Sequence, residues 1–146
     1  MFHWESYKNY DVDELGAVYS REQTSFRLWA PTADKVLVRL YEAGDGDCLI
    51  QEISMRKAEN DTFAVTVPGD LNRVYYTYVV TVDGQTRETV DPYAKAVGVN
   101  GVRGMVLNLE ETNPEGFRLD KGPMLLRNTD AVICEISVAD ITGDAS

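Results

Sequence analysis

Residues 74–89 read VYYTYVVTVDGQTRET, and this stretch decides the predicted fold. Apolar side chains recur in it at every second position: Val74, Tyr76, Tyr78, Val80 and Val82. A period of two is typical of a strand that buries one of its faces. Asp83-Gly84 then predicts a two-residue hairpin turn, because glycine accepts positive φ, and the polar residues 85–89 are expected to return as an edge strand. The stretch therefore indicates an antiparallel sheet.

The sequence on both sides of this hairpin alternates in the same way. Further strands are expected over residues 24–30, 35–42, 48–55, 62–67 and 104–109. The last of these is expected to use Met105, Leu107 and Leu109 as its apolar face. About seven to eight short strands with turns between them predict an all-β chain, folded as an antiparallel immunoglobulin-like β-sandwich with no helix longer than a turn or two.

Charge and length exclude several classes of partner and activity. The chain has 146 residues and a formal net charge of −10, whereas binding to nucleic acid or to an anionic membrane relies on clustered Lys and Arg, so we expect neither partner. There is no basic N-terminal start before an apolar run, and no run of about 18 apolar residues. We therefore expect no export signal and no membrane span, and the predicted location is cytoplasmic. A complete (β/α)8 barrel needs about 200 residues, so none is expected in this chain.

No catalytic or metal-binding pattern is evident in the sequence. The 24 Asp and Glu residues occur mostly in turns, where they have a conformational role, so no catalytic residue is expected. The acidic loops at residues 11–14 and 45–47 lack the later ligands of a calcium loop, and His3 has no nearby Cys or His. Cys48 and Cys134 lie far apart and are expected to be ordinary thiols. We therefore predict neither a metal nor a cofactor.

Aromatic residues are the one class that favours ligand binding. The apolar faces of sugar rings pack on Trp and Tyr, while sugar hydroxyl groups require polar partners. The candidates for carbohydrate binding are Trp29, Tyr41 and Tyr75. On strands such residues also serve in core or edge packing, and the sequence leaves that alternative open.

Several motifs together resemble a known family. Residues 15–19 (LGAVY) and 24–33 (TSFRLWAPTA) are similar to the opening of the family 48 carbohydrate-binding modules of pullulanases and glycogen-debranching enzymes. Residues 90–96 (VDPYAKA) and 100–106 (NGVRGMV) resemble the version found in the N-terminal accessory region of type I pullulanases, which are α-1,6-debranching enzymes of the α-amylase superfamily. The resemblance covers nearly the whole chain.

The resemblance also implies how the chain is divided. It implies an N-terminal lead-in (1–15), the sandwich (16–110), a linker (111–129) and the start of a truncated (β/α)8 catalytic domain (130–146). Residues 131–136 (AVICEI) resemble the first barrel strand, and as an orphan strand they are expected to be disordered or to pair with something other than that barrel.

The implied function is that of a non-catalytic accessory module of a pullulanase-type glycoside hydrolase, which packs on the catalytic barrel and assists in binding α-glucan such as pullulan, starch or glycogen. The expected docking residues come from the two pullulanase-like motifs: Asp91, Pro92, Tyr93, Asn100 and Arg103. The hairpin loop, residues 82–88, lacks the tryptophans of glycogen-binding relatives, which favours docking over strong independent sugar binding. The alternatives are an independent α-glucan-binding module and a small stand-alone hydrolase.

Overall fold

A computed structural model describes residues 14–122 and 124–143. The chain divides between Thr112 and Asn113 into two units. Most of the predicted lead-in, with His3 and the start of the acidic loop at residues 11–14, lies outside the described residues. Among the helices described, none is long and apolar enough to cross a membrane.

The first unit is built from short antiparallel strands. In chain order the described strands are β1 (Gly16–Tyr19), β2 (Gln23–Trp29), β3 (Lys35–Tyr41), β4 (Leu49–Ser54), β5 (Arg56–Lys57), β6 (Thr62–Pro68), β7 (Tyr75–Val82), β8 (Gln85–Thr89) and β9 (Gly104–Met105). One sheet has the order β1-β2-β6-β5 and the other the order β4-β3-β7-β8, with β9 also paired to β7. The prediction of an all-β antiparallel sandwich is confirmed.

The hairpin that led to this prediction forms as expected. Asp83 and Gly84 have φ values of 49° and 74°, the two positive angles of the tight turn that matches strand twist. Strand β8 is exposed along its whole length and lies at an edge of its sheet. Polar side chains suit that position because they protect an open edge from pairing with another chain.

The core lies between the two sheets and follows the alternation of the sequence. Its largest fully buried side chains include Phe26 from one sheet and Tyr76 and Tyr78 from the other. Phe26 and Tyr76 meet edge to face with ring centroids 5.1 Å apart, and Tyr76 meets Tyr78 at 5.8 Å. Such contacts add to the stabilisation from apolar burial. The remaining members of the core are mostly aliphatic: Leu28, Ala33, Val36, Val38, Leu40, Met55, Phe63, Val67 and Val106.

The strand predicted over residues 48–55 is two strands in different sheets. Strand β4 pairs with β3, whereas β5 pairs with β6 across the sandwich. The chain crosses at Met55, which is buried and whose N–H donates to the carbonyl of Val36 (3.0 Å). An apolar side chain at this crossing point adds to the apolar surface that is buried from water between the sheets.

The last predicted strand is shorter than expected and buries a different residue. Only Gly104–Met105 is a strand, and Val106 is the buried side chain in place of Met105, Leu107 and Leu109. The N–H of Val106 donates to the carbonyl of Val74 (2.9 Å), and the N–H of Asn108 then donates to the side chain of Asn72 (2.9 Å). This side-chain contact replaces the next strand hydrogen bond, and a 3₁₀ turn follows at Leu109–Thr112.

The described part of the second unit has little regular structure. It contains 3₁₀ turns at Phe117–Leu119 and Asn128–Asp130 and a five-residue helix at Val138–Thr142. Residues 131–136, which resemble the first barrel strand, form no strand, and Val132 and Ile133 are almost fully exposed. A strand is stable only with hydrogen-bonded neighbours, and none of the described strands pairs with this segment. The boundaries of the linker and barrel start stay predictions.

Candidate functional site

A groove of about 540 Å³ opens on the outer face of the sheet that contains β3 and β7. The groove exists because Val36, Val38 and Leu40 of β3 face the core, so that Arg39 and Tyr41 face outward. Strand register places Thr77 beside Arg39, and Glu88 beside Val79 on the same face. The lining combines strand residues with a loop: Tyr41, Thr77, Glu88, Thr89, Val90, Gly101, Val102 and Arg103.

The carboxylate of Glu88 is the centre of the polar contacts in the groove. It accepts hydrogen bonds from the hydroxyl of Tyr41, from Oγ1 of Thr77 (2.6 Å) and from the Arg39 guanidinium (2.7 Å), which also pairs with Glu52 (2.8 Å). Burial acts to raise the pKa of Glu88, but these three donors outweigh it and the pKa is lowered. Glu88 is therefore a fixed, charged acceptor at the groove.

Arg103 forms the opposite wall and holds a neighbouring loop. Its guanidinium lies 3.7 Å from the centroid of the Tyr41 ring. It donates to the carbonyls of Ala43 (2.7 Å), Asp45 (2.9 Å) and Gly46 (2.6 Å), and Nη1 also lies 3.1 Å from Sγ of Cys48. The planar fork of arginine allows one side chain to stack on a ring and bind several carbonyls at once. The loop and the groove wall are thereby joined.

A close contact between two glycines supports the same wall. A side chain added at Gly98 would place Cβ 2.8 Å from Cα of Gly44, 3.0 Å from the Gly44 carbonyl oxygen and 3.0 Å from the ring of Tyr75. Each of these distances is shorter than van der Waals contact. Gly98 has φ −81°, so it is required here for space and not for an unusual backbone angle.

Replacing Gly98 by alanine is therefore expected to destabilise the chain by about 1–3 kcal/mol, the usual cost of overpacking. Urea denaturation followed by circular dichroism measures the change. Gly122→Ala is the matched control, because nothing lies within 4 Å of a Cβ added at Gly122. Equal stability of the two variants would contradict the proposed close contact.

Next to the groove runs an exposed apolar surface, which we name the apolar strip: Tyr93, Val97, Val99 and Val102. These side chains are between 41% and 58% exposed. They lie on the irregular segment between β8 and β9, which turns at Asn100 and Gly101 with φ values of 53° and 68°. Val102 also lines the groove, so the two surfaces adjoin. Exposed aliphatic side chains concentrated on one segment are typical of a protein contact surface.

Asp91 fastens the start of this segment to the core. It is only 3% exposed, and its carboxylate accepts hydrogen bonds from the hydroxyl of Tyr76 (2.7 Å) and the N–H of Tyr93 (2.8 Å). Burial raises the pKa of Asp91, although these hydrogen bonds oppose the rise. The prediction of Asp91 as a docking residue is therefore wrong with respect to direct contact, since the side chain is enclosed within the sandwich.

The structure separates the other predicted site residues. Tyr41 is 6% exposed and Arg103 covers its ring, so it presents no open face to a sugar, although it lines the groove; its role in carbohydrate binding stays a prediction. Tyr75 is half-buried against Gly44 and Gly98. Trp29 is 39% exposed at the end of β2 in the other sheet, and the structure does not bring it to the groove.

Of the predicted docking residues, Pro92, Tyr93 and Asn100 are exposed, whereas Arg103 is half-buried and is engaged with the loop at residues 43–48. Sequence reasoning missed Thr77 and Glu88 as groove residues, and Arg39 as a partner of Glu88. The outward positions of Arg39 and Thr77 were readable from the alternation on β3 and β7, but their contacts with Glu88 of β8 depend on strand register. Within the described residues, no group of three or more His, Cys, Asp or Glu side chains is arranged to hold a metal ion.

Comparison with known proteins gives one consistent result. Residues 14–94 match the family described as carbohydrate-binding module 48 (isoamylase N-terminal domain). A pullulanase from Bacillus subtilis (strain 168) is 41% identical over 98 residues, which is 67% of this chain and 13% of the relative. The matched part of this chain thus spans about an eighth of the length of that relative.

Solved structures agree with this result. The pullulanase from Bacillus acidopullulyticus is 42% identical with a TM-score of 0.84, over 94% of this chain and 17% of that one. The pullulanase from Paenibacillus barengoltzii in complex with maltohexaose and alpha-cyclodextrin is 49% identical with a TM-score of 0.85, over 93% of this chain and 21% of that one. At these identities the likeness extends to the sequence as well as the fold.

Proposed function

Because the chain belongs to the carbohydrate-binding module 48 family, we propose that it acts as the non-catalytic accessory module of a pullulanase-type enzyme that hydrolyses α-1,6-glucosidic bonds. The observation that carries this proposal is the apolar strip beside the groove. It gives the module a surface for a protein neighbour and, next to it, a polar recess for a sugar.

The partner proposed for the apolar strip is the catalytic barrel. The pullulanases that resemble this chain are about four to five times its length, so the matching region in each of them is one part of a larger protein. The strip is held in a fixed shape by Asp91 at one end and Arg103 at the other. A surface ordered before contact loses less conformational entropy when it binds.

The ligand proposed for the groove is an α-glucan. Glu88 supplies an acceptor and Thr89 adds an exposed hydroxyl group, which are the partners that sugar hydroxyls require. The related enzyme from Paenibacillus barengoltzii was crystallised with maltohexaose and alpha-cyclodextrin, which supports this ligand class. Among the described residues that line the groove, none presents a fully open aromatic face, because Arg103 covers Tyr41, so we expect the groove to bind weakly by itself.

Docking is tested in a full-length enzyme that contains this module. Val99→Ser combined with Val102→Ser is expected to uncouple the thermal unfolding of the module from that of the barrel, because each exposed valine loses apolar burial at the contact. Differential scanning calorimetry measures the transitions. In the isolated chain the same pair is expected to change stability by less than about 0.5 kcal/mol, since both side chains are exposed there.

Val18→Ser is the matched control, since Val18 is an exposed valine on β1 in the other sheet. Unfolding that stays coupled in the double variant would contradict docking through the strip.

An independent α-glucan-binding module is the second candidate, and the groove is the observation that favours it. Calorimetry of the isolated chain with maltooligosaccharides, glycogen and pullulan distinguishes the two roles. Binding of the isolated chain as tight as that of the full-length enzyme would favour the independent module.

A further inference from the structure

We infer that Arg103 is the positioning residue of the groove: it sets the shape of the glucan site by holding the loop at residues 43–48 against the wall at residues 101–103. This inference rests on the proposed glucan role of the groove. It is distinct from the docking role that the sequence predicted for Arg103.

The loop has few other attachments to the wall. Residues 43–48 connect β3 to β4, and the N–H of Glu42 donates to the carbonyl of Cys48 (3.0 Å) to close the loop at its base. Across the gap, the guanidinium of Arg103 reaches three loop carbonyls and Sγ of Cys48. Gly44 and Gly98 pack together beneath it. One side chain thus supplies most of the polar contacts between loop and wall that the described residues show.

The same guanidinium determines which part of Tyr41 is available. It covers the ring at 3.7 Å, while the hydroxyl of Tyr41 is held by Glu88. Tyr41 is therefore fixed from both sides, and burial followed by the Glu88 contact raises its pKa. Without Arg103 the ring would be uncovered and the loop released, so the groove would lose one wall.

Lysine cannot replace arginine in this position. Its single ammonium group lacks the planar fork that binds carbonyls on several sides while stacking on a ring. The position thus requires the shape of the guanidinium as well as its charge. The glucan affinity of Arg103→Lys is therefore a readout that a role in stability alone would not change.

The test is an NMR titration of the ¹⁵N-labelled full chain with maltoheptaose. In the wild type we expect shifts at Thr77, Glu88 and residues 101–103, with affinity on the order of 1 mM. Arg103→Ala is expected to bind about tenfold more weakly because the groove loses one wall, and Arg103→Lys is expected not to restore affinity because an ammonium group lacks the planar fork. Added methylguanidinium is expected to restore binding to Arg103→Ala, whereas methylammonium is not.

Arg87→Ala is the matched control, because Arg87 is an exposed arginine on β8 that does not line this groove. Hydrogen exchange of the Glu42 N–H, which donates to the carbonyl of Cys48 at the base of the loop, provides a readout without sugar and is expected to be faster in Arg103→Ala. Unchanged exchange, or full affinity in Arg103→Ala or Arg103→Lys, would overturn the positioning role while leaving the glucan role intact. An absence of shifts in the wild type at saturating maltoheptaose would overturn the glucan role itself, and with it the inference.

Discussion

Replacing Asp91 by alanine is expected to lower the free energy of unfolding by about 2–4 kcal/mol. The substitution removes the acceptor for two donors inside the sandwich, the hydroxyl of Tyr76 and the N–H of Tyr93. A buried donor left without a partner costs about 1–3 kcal/mol, and removal of a desolvated charge offsets part of the sum. Chemical denaturation followed by circular dichroism measures the effect.

Asp91→Asn separates the charge from the hydrogen bonds. The amide keeps an acceptor oxygen but carries no charge, so we expect a smaller loss in the free energy of unfolding than in Asp91→Ala. The wild type and Asp91→Asn also differ in how their stability depends on pH, because asparagine does not titrate. Because burial raises the folded-state pKa of Asp91 above its unfolded value near 3.8, the contribution of this group to stability is fully present below 3.8 and is lost as pH rises through the folded pKa.

The pH test compares the free energy of unfolding of the wild type with that of Asp91→Asn at each pH. The contributions of the other carboxylates are common to both proteins and cancel in the difference. Glu88 and Asp70 have lowered pKa values and act in the opposite direction, since their stabilisation is lost as pH falls. The titratable groups that face Asp91 are Tyr76 and Tyr78, whose pKa values are raised and which stay neutral over this range. We expect the stability of the wild type relative to Asp91→Asn to fall as pH rises from about 4 toward neutrality. A difference that is constant with pH would show that Asp91 does not titrate as proposed.

Alternation in the sequence was enough to predict the architecture. The residues predicted on the inner faces of β2, β3 and β7 include Phe26, Val38 and Tyr78, and all three are buried. The Asp83-Gly84 turn was predictable because its backbone requirement is local. Alternation failed at Met55 and Val106, where the chain leaves one sheet or departs from a ladder. At those places a tertiary contact, which no local pattern encodes, determines the structure.

The candidate site was less predictable for a physical reason. Residue type marked Tyr41 and Arg103 as functional candidates, but the stacking of one on the other joins residues 62 positions apart in sequence. Asp91 was predicted from a motif as a surface residue, yet the motif reflects a buried hydrogen-bonding role. The same residue pattern is compatible with a docking residue on the surface and with a buried residue that accepts internal hydrogen bonds. Only the burial of the side chain distinguishes the two roles.

Phe26→Ala is the second large effect and tests the core directly. We expect the free energy of unfolding to fall by about 3–5 kcal/mol, the usual cost of replacing a fully buried phenylalanine by alanine. Phe26 lies on β2, which pairs with both β1 and β6, and its ring meets the Tyr76 ring of the opposite sheet in an edge-to-face contact. Its removal leaves a cavity between the two sheets. Strands on both sides restrict the backbone shifts that would close such a cavity.

The measurement is urea denaturation of the wild type and of Phe26→Ala, with Val18→Ala as the matched control. Val18 lies on edge strand β1 and is partly exposed, so its truncation is expected to change stability by less than about 0.5 kcal/mol. Phe26→Leu keeps much of the apolar volume, and its loss of stability is expected to lie between those of Phe26→Ala and Val18→Ala. A loss in Phe26→Ala no larger than that in Val18→Ala would mean that the sheets do not pack through this ring. In that case the apolar strip, whose segment is tied to Tyr76 through Asp91, would not rest on a rigid base.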